Sequence, residues 1–120
     1  MRSKSELAIA NILCMFEREG RLTYRYEPRL PFTSGEGRWA DFAIEAHGQI
    51  WFWEHCGMLS DDDYRQRWEV KRELYEKNGY SVYSARNLSG RLIVTEESPQ
   101  CGLDTKAIDD LVQILAKGHF

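Results

Sequence analysis

No stretch of the chain approaches the roughly 18 consecutive apolar residues that a membrane-spanning helix needs, so a bilayer location is not expected. The opening Met1-Arg2-Ser3-Lys4-Ser5-Glu6 is not followed by an apolar segment with a cleavage site, and the cytoplasm is the expected compartment. Cysteine is scarce. Cys14, Cys56 and Cys101 are odd in number and far apart, which fits neither a disulfide framework nor paired zinc ligands, so reduced packing thiols are expected. No Gly-x-x-x-x-Gly-Lys loop is present to cradle a nucleoside triphosphate. A surplus of positive charge is missing too: the formal net charge is -3, which argues against a strongly basic, free-standing nucleic-acid binder.

What remains is a mixture suited to a packed core. Hydrophobic residues make up 42% of the 120 residues and charged ones 29%, enough apolar surface for one compact domain and too short a chain for two. The charges are unevenly spread. Arg18, Arg21, Arg25, Arg29 and Arg38 crowd one third of the chain, while acids gather at Asp61, Asp62 and Asp63 and in the C-terminal third, so a local basic surface is compatible with the overall balance.

Hydrophobic spacing divides the chain into elements. Ser3 and Glu6 form a Ser-x-x-Glu capping pattern ahead of helix formers over residues 7–19, with Gly20 as the stop. On that helix Glu6 falls at the end of the stripe Ile9, Ala10, Leu13 and Phe16. Residues 22–27 alternate as a strand ended by Pro28, residues 31–37 read as a loop, and residues 38–45 read as a second strand. His47-Gly48 separates it from a third strand over 49–55, giving an antiparallel hairpin. Ser60 is expected to cap a helix running to Asn78-Gly79, with Asp61, Asp62 and Asp63 in its first turn. Residues 81–85 and 91–95 are short strand candidates, and Asp104 is expected to cap a last helix reaching Lys117. The strand over 49–55, its following helix and the strand at Ser81 are expected to make a βαβ unit in a mixed sheet flanked by helices.

Two acids are out of place in this pattern. Asp41 interrupts Trp39, Ala40, Phe42 and Ile44 within a strand, where aspartate is poorly suited. Glu54 follows the most apolar strand, Ile50-Trp51-Phe52-Trp53, where an ionised carboxylate is costly unless it meets water, a cation or a metal. A hard ion such as Mg²⁺ or Mn²⁺ takes one or two carboxylates with carbonyl oxygens, waters and phosphate oxygens, so Asp41 and Glu54 on adjacent strands point to such a site. The bound ion would polarise a phosphodiester and lower the pKa of an attacking water. Glu6 is a candidate third carboxylate.

With the acids in these segments, Trp39-Ala40-Asp41-Phe42 and Trp53-Glu54-His55-Cys56, the chain resembles the PD-(D/E)XK nuclease superfamily over about residues 3–85. The resemblance implies a restriction-endonuclease-like αβββαβ core, metal-dependent hydrolysis of DNA, and Asp41 and Glu54 as metal ligands; of His55, the backbone carbonyl is a better candidate ligand than the ring. Two positions depart from the pattern: Ala40 replaces a proline, and Cys56 stands where the motif has a lysine that orients the attacking water. By resemblance to members whose lysine sits on the following helix, Lys71 is the replacement, with His55 and Arg67 as alternatives. Tyr64, Trp68, Lys71 and Tyr75 share one face of that helix. Tyr24-x-Tyr26-Glu27, Asp41-Phe42-x-Ile44, Trp51-x-Trp53-Glu54-His55-x-Gly57-Met58 and Tyr64-x-x-x-Trp68-x-x-Lys71 are similar to domains attached to DNA helicases. That likeness implies DNA as substrate and a helicase or a repair or defence assembly as partner, and a homodimer would suit cutting of two strands.

Plainer readings stand beside these. Asp41 and Glu54 as structural acids would pair with Arg38 or Arg29, Glu6 would only complete its capping box, and Lys71 would lay its stem over Trp68 and Tyr75 with its ammonium in water. His55 would be a packed sheet-end histidine. The tryptophans Trp39, Trp51, Trp53 and Trp68 would fill the core more often than they would stack on unpaired bases. The rival function is a nuclease-like module that has lost catalysis and binds nucleic acid or docks a partner.

Overall fold

The computed structural model describes residues 4–32, 38–57, 59–97 and 103–118. Ser3 of the capping pattern, residues 33–37 of the expected loop, Met58 and Cys101 lie outside them. The chain forms a small α/β fold in which a four-stranded mixed sheet carries three helices.

Helix α1 (Lys4–Arg18) buries Ile9, Leu13 and Phe16, the spacing that one apolar stripe requires. It stops before Gly20, whose φ of 71° a side chain would resist. Strands β1 (Thr23–Tyr26), β2 (Phe42–Ala46) and β3 (Gln49–Cys56) follow as an antiparallel series. His47 and Gly48 both adopt positive φ, 53° and 72°, in the two-residue turn joining β2 to β3. This is the twist that matches paired strands, and it sets the register Phe42↔Trp53, Ile44↔Trp51 and Ala46↔Gln49. Helix α2 (Asp62–Lys77) then returns the chain to β4 (Leu92–Glu96), parallel to β3, so the sheet runs β1-β2-β3-β4. Helix α3 (Thr105–Lys117) closes the described chain; Asp104 caps it by accepting from the Ala107 N–H at 3.0 Å, and Gly118 ends it in the left-handed region.

Three expectations change. The residues 81–85 do not form a strand beside β3. Val82 makes one parallel bridge with Leu92, and Ser84 bridges Asn87, whose side-chain amide ties back to Ser81 Oγ and the Val82 carbonyl. This local turn consumes the hydrogen-bonding groups a longer strand would need, and β4 takes the place at β3, so the βαβ unit is β3-α2-β4. Gly90 lies so close beneath this turn that a Cβ there would sit 2.6 Å from Val82 and Tyr83 backbone atoms. The strand expected over 38–45 becomes regular only at Phe42. Before it, residues 38–40 pair irregularly with 28–30 through a Trp39 bridge to Arg29. On the β1 side Glu27, with φ of 50°, and Pro28 interrupt the pairing, and on the β3 side the Asp41 side chain, not a backbone carbonyl, receives the His55 N–H. The cap of α2 is Asp61, which accepts from the Tyr64 N–H, and not Ser60.

The sheet separates two apolar clusters. On one face Phe42, Ile44, Trp51, Trp53 and Ile93 pack against Ile9, Leu13 and Phe16 of α1 and Ile108, Val112 and Leu115 of α3. On the other, Leu30, Ala40, Phe52 and Leu92 pack around Tyr75 of α2. Among the described residues no helix is long and apolar enough to cross a membrane.

Candidate metal centre

Continuing the hairpin register one step past Phe42↔Trp53 brings Asp41 opposite Glu54, and the Asp41 N–H donates to the Trp53 carbonyl at 3.1 Å. Strand alternation turns Glu54, like Phe52 two residues earlier, toward α2. Both acids line a cleft of about 250 Å³ together with Arg38, Tyr64, Arg67, Trp68 and Lys71. Asp41 Oδ2 accepts from the His55 N–H at 2.7 Å, which holds the carboxylate in place.

Glu54 is only 5% exposed and is surrounded by donors. Lys71 Nζ lies 3.1 Å from Oε1 and 3.0 Å from Oε2, and the Tyr75 hydroxyl donates to Oε2 at 2.5 Å. The same Lys71 ammonium donates to the Trp39 carbonyl at 2.6 Å, so it bridges the irregular lead-in to β2 and the end of β3. Tyr75 is fully buried, and its ring is wedged among Phe32, Phe52 and Tyr80. Aromatic packing therefore aims its hydroxyl.

Charge follows from this crowding. Burial pushes Glu54 up to about 7; the Lys71 charge pulls it down, the Asp41 charge pushes it up, and the Tyr75 hydrogen bond favours the ionised form. Asp41 is also raised, first by burial, against the His55 N–H that lowers it and with Glu6 repelling its charge. Tyr75 is raised by burial and by the Glu54 carboxylate it faces, so it remains a donor. Cys56 is pushed up to about 12 by burial and by the neighbouring Glu54 and Asp41 charges, so at neutral pH it is an uncharged thiol that supplies no cation.

The candidate site residues Glu6, Asp41, Glu54, His55 and Lys71 all lie among the described residues. Asp41, Glu54 and Lys71 meet in one cleft. Glu6, in the first turn of α1, is close enough for its charge to be felt at Asp41. The His55 ring is engaged elsewhere: Nδ1 is 2.9 Å from Thr95 Oγ1 and Nε2 is 3.7 Å from a Glu97 carboxylate that also receives the Ser5 hydroxyl. At the cleft His55 acts through its backbone. Lys71 is an ion-pair partner of Glu54 at 3.0 Å. Trp51 and Trp53 are core residues, Trp68 is half-buried beside the cleft, and Trp39 is 49% exposed. Sequence reasoning placed Tyr75 on the packing face of its helix but missed its hydroxyl on Glu54. The one signal was a phenol with polar work to do at a core position.

Among the described residues no three His, Cys, Asp or Glu side chains group as a metal cluster. Two carboxylates suit an ion that keeps most of its waters, as Mg²⁺ and Mn²⁺ do, and fall short of the four protein ligands of a closed zinc site. Comparisons with protein-family models, curated proteins and solved structures found no match to this chain.

Proposed function

We propose that this chain is a Mg²⁺- or Mn²⁺-dependent deoxyribonuclease built on a restriction-endonuclease-like αβββαβ core, with Asp41 and Glu54 as metal ligands and Lys71 as the cation of the reaction. The observation that carries this reading is the convergence of half-buried Asp41, just ahead of β2, with buried Glu54 of β3, both raised in pKa, beside an ammonium 3.0 Å from Glu54. A bound divalent ion would polarise the scissile phosphate and make water nucleophilic near neutral pH. The protein side supplies position and charge. The His55 N–H orients Asp41, Tyr75 orients Glu54, and Lys71 offers the positive charge that neutral Cys56 does not. Asp41 and Glu54 would hold the metal, and Lys71, beside Glu54, would offer positive charge to a phosphate oxygen or the attacking water. Glu6 adds negative charge beside Asp41 and strengthens attraction for a cation.

Labelled single-stranded and duplex DNA incubated with Mg²⁺ or Mn²⁺ tests this. Wild type is expected to cleave, and Asp41→Ala, Glu54→Ala and Lys71→Ala to lose activity. A wild type that binds DNA without cutting it, or variants that cut as well as wild type, would reject the assignment. The second reading, a catalytically silent module that recognises nucleic acid or docks a partner such as a helicase, is favoured by the donors already gathered on Glu54. It predicts DNA binding without hydrolysis in every metal.

A further inference from the structure

We infer that the cleft takes one unpaired nucleotide of a single-stranded nucleic acid, its base against Trp68 and its flanking phosphates at Arg67 and Arg38. This rests on the proposed substrate class, nucleic acid, but not on hydrolysis. Four residues of α2, Tyr64, Arg67, Trp68 and Lys71, line the same cleft as Asp41 and Glu54, with Arg38 also lining it. Their spacing of three and four places aromatic and cationic side chains alternately along one helix wall. Tyr64 and Trp68 are half-buried, unlike the sealed Trp51 and Trp53, so ring surface remains available in the cleft. Arg65 and Arg72 on the same helix are paired with Asp62 and Glu76, whereas among the described residues no acid pairs with Arg67.

Stacking on an aromatic wall accepts any base but requires a free π-face, and a base inside a duplex is stacked and paired and must be extruded to present one. The cleft's volume of about 250 Å³ is that of a site for one such unit beside the carboxylates, not for a double helix. The net charge of -3 is no obstacle, because the cations that matter are local.

Fluorescence anisotropy in EDTA, with an oligodeoxythymidylate strand and the same strand annealed to its complement, reads binding without cleavage. Wild type is expected to prefer the single strand. Trp68→Ala should weaken single-strand binding about 10-fold while leaving duplex binding unchanged, since a stacked base contributes on the order of tenfold or more in affinity. Trp68→Phe should restore most of it, and a melting curve of each variant shows that it is folded. Arg67→Gln should weaken binding of all sequences alike and reduce the slope of log affinity against log salt by about 0.7, one phosphate contact on a single strand. Equal or tighter duplex binding by wild type, unchanged affinity in folded Trp68→Ala, no loss in Arg67→Gln, or no binding of either nucleic acid by folded wild type would each overturn the inference. Single-strand binding that depends on Trp68, with no cleavage in any metal, would remove the nuclease reading and leave this one standing; cleavage with a duplex preference would do the reverse.

Discussion

The two faces of the sheet are made for different tasks. On the α1 and α3 face, seven helix residues are buried, three from α1 and four from α3, against a floor of Phe42, Ile44, Trp51 and Trp53. On the other face the sixteen-residue helix α2 has one buried residue, Tyr75, and that residue ends in a hydroxyl on Glu54. The first face stabilises by removing apolar area from water. The second holds ionisable groups in a crowded site, where burial opposes their charged forms. A fold this small can keep strained carboxylates because the opposite side of the same strands is closed and dry.

The contrast can be broken first on the apolar side. Leu13→Ala removes a fully buried side chain from the α1 packing and is expected to destabilise by about 3 kcal/mol, within the range for such cavities, while leaving metal and nucleic-acid affinity of the folded protein unchanged. Urea unfolding paired with Mn²⁺ titration checks both halves. A Leu13→Ala protein with impaired metal affinity would mean the faces are not independent.

An effect of comparable size and opposite sign is expected on the polar side at alkaline pH. Folding raises the Glu54 pKa from 4.5 to about 7, so it favours the protonated form. That contribution is fully present below about pH 4.5 and is lost as pH rises through about 7. Glu54→Gln cannot ionise, and should be more stable than wild type by about 3 kcal/mol at about pH 8, with the difference vanishing in acid. Parallel unfolding curves for the two proteins at all pH values would show that Glu54 is not strained.

The smallest change is Tyr75→Phe, which keeps the ring among Phe32, Phe52 and Tyr80 and deletes only the hydroxyl. A loss of about 1 kcal/mol is expected for one hydrogen bond to a carboxylate that also has Lys71. Because the hydroxyl favours the ionised form, its removal should move Glu54 titration upward, which carboxyl-carbon NMR would follow. A downward or absent shift would mean that Tyr75 serves only to pack.

The parts of this arrangement legible in the sequence were those carried by local pattern. The hairpin followed from His47-Gly48 between alternating strands, and the acids from their misfit with apolar neighbours. Lys71 reached the expected helix face because helical periodicity extends over two turns of α2. Partner choice was not legible. Val82 and Tyr83 look as strand-like as Leu92, Ile93 and Val94, yet β3 takes β4, since pairing depends on a turn at Ser84–Asn87 and on the space left by Gly90. Ser60 and Asp61 are both competent caps, and only the backbone at Asp61, with φ -86° and ψ 121°, decides between them. The reach of Tyr75 to Glu54 spans two elements, and no spacing rule within either one encodes it.

The two-residue turn at His47-Gly48 also has a meaning in time. A β-hairpin closes in about 1–10 μs, well before contacts of long sequence separation form in most domains. Glu54 lies on one arm of such a hairpin and Asp41 immediately precedes the other, whereas Lys71 comes from α2. If the hairpin closes first, the acids meet while still hydrated, where mutual repulsion is weak, and become a demanding pair only as the aromatic cluster closes around them. Such an order of assembly would bring like charges together while water still separates their fields.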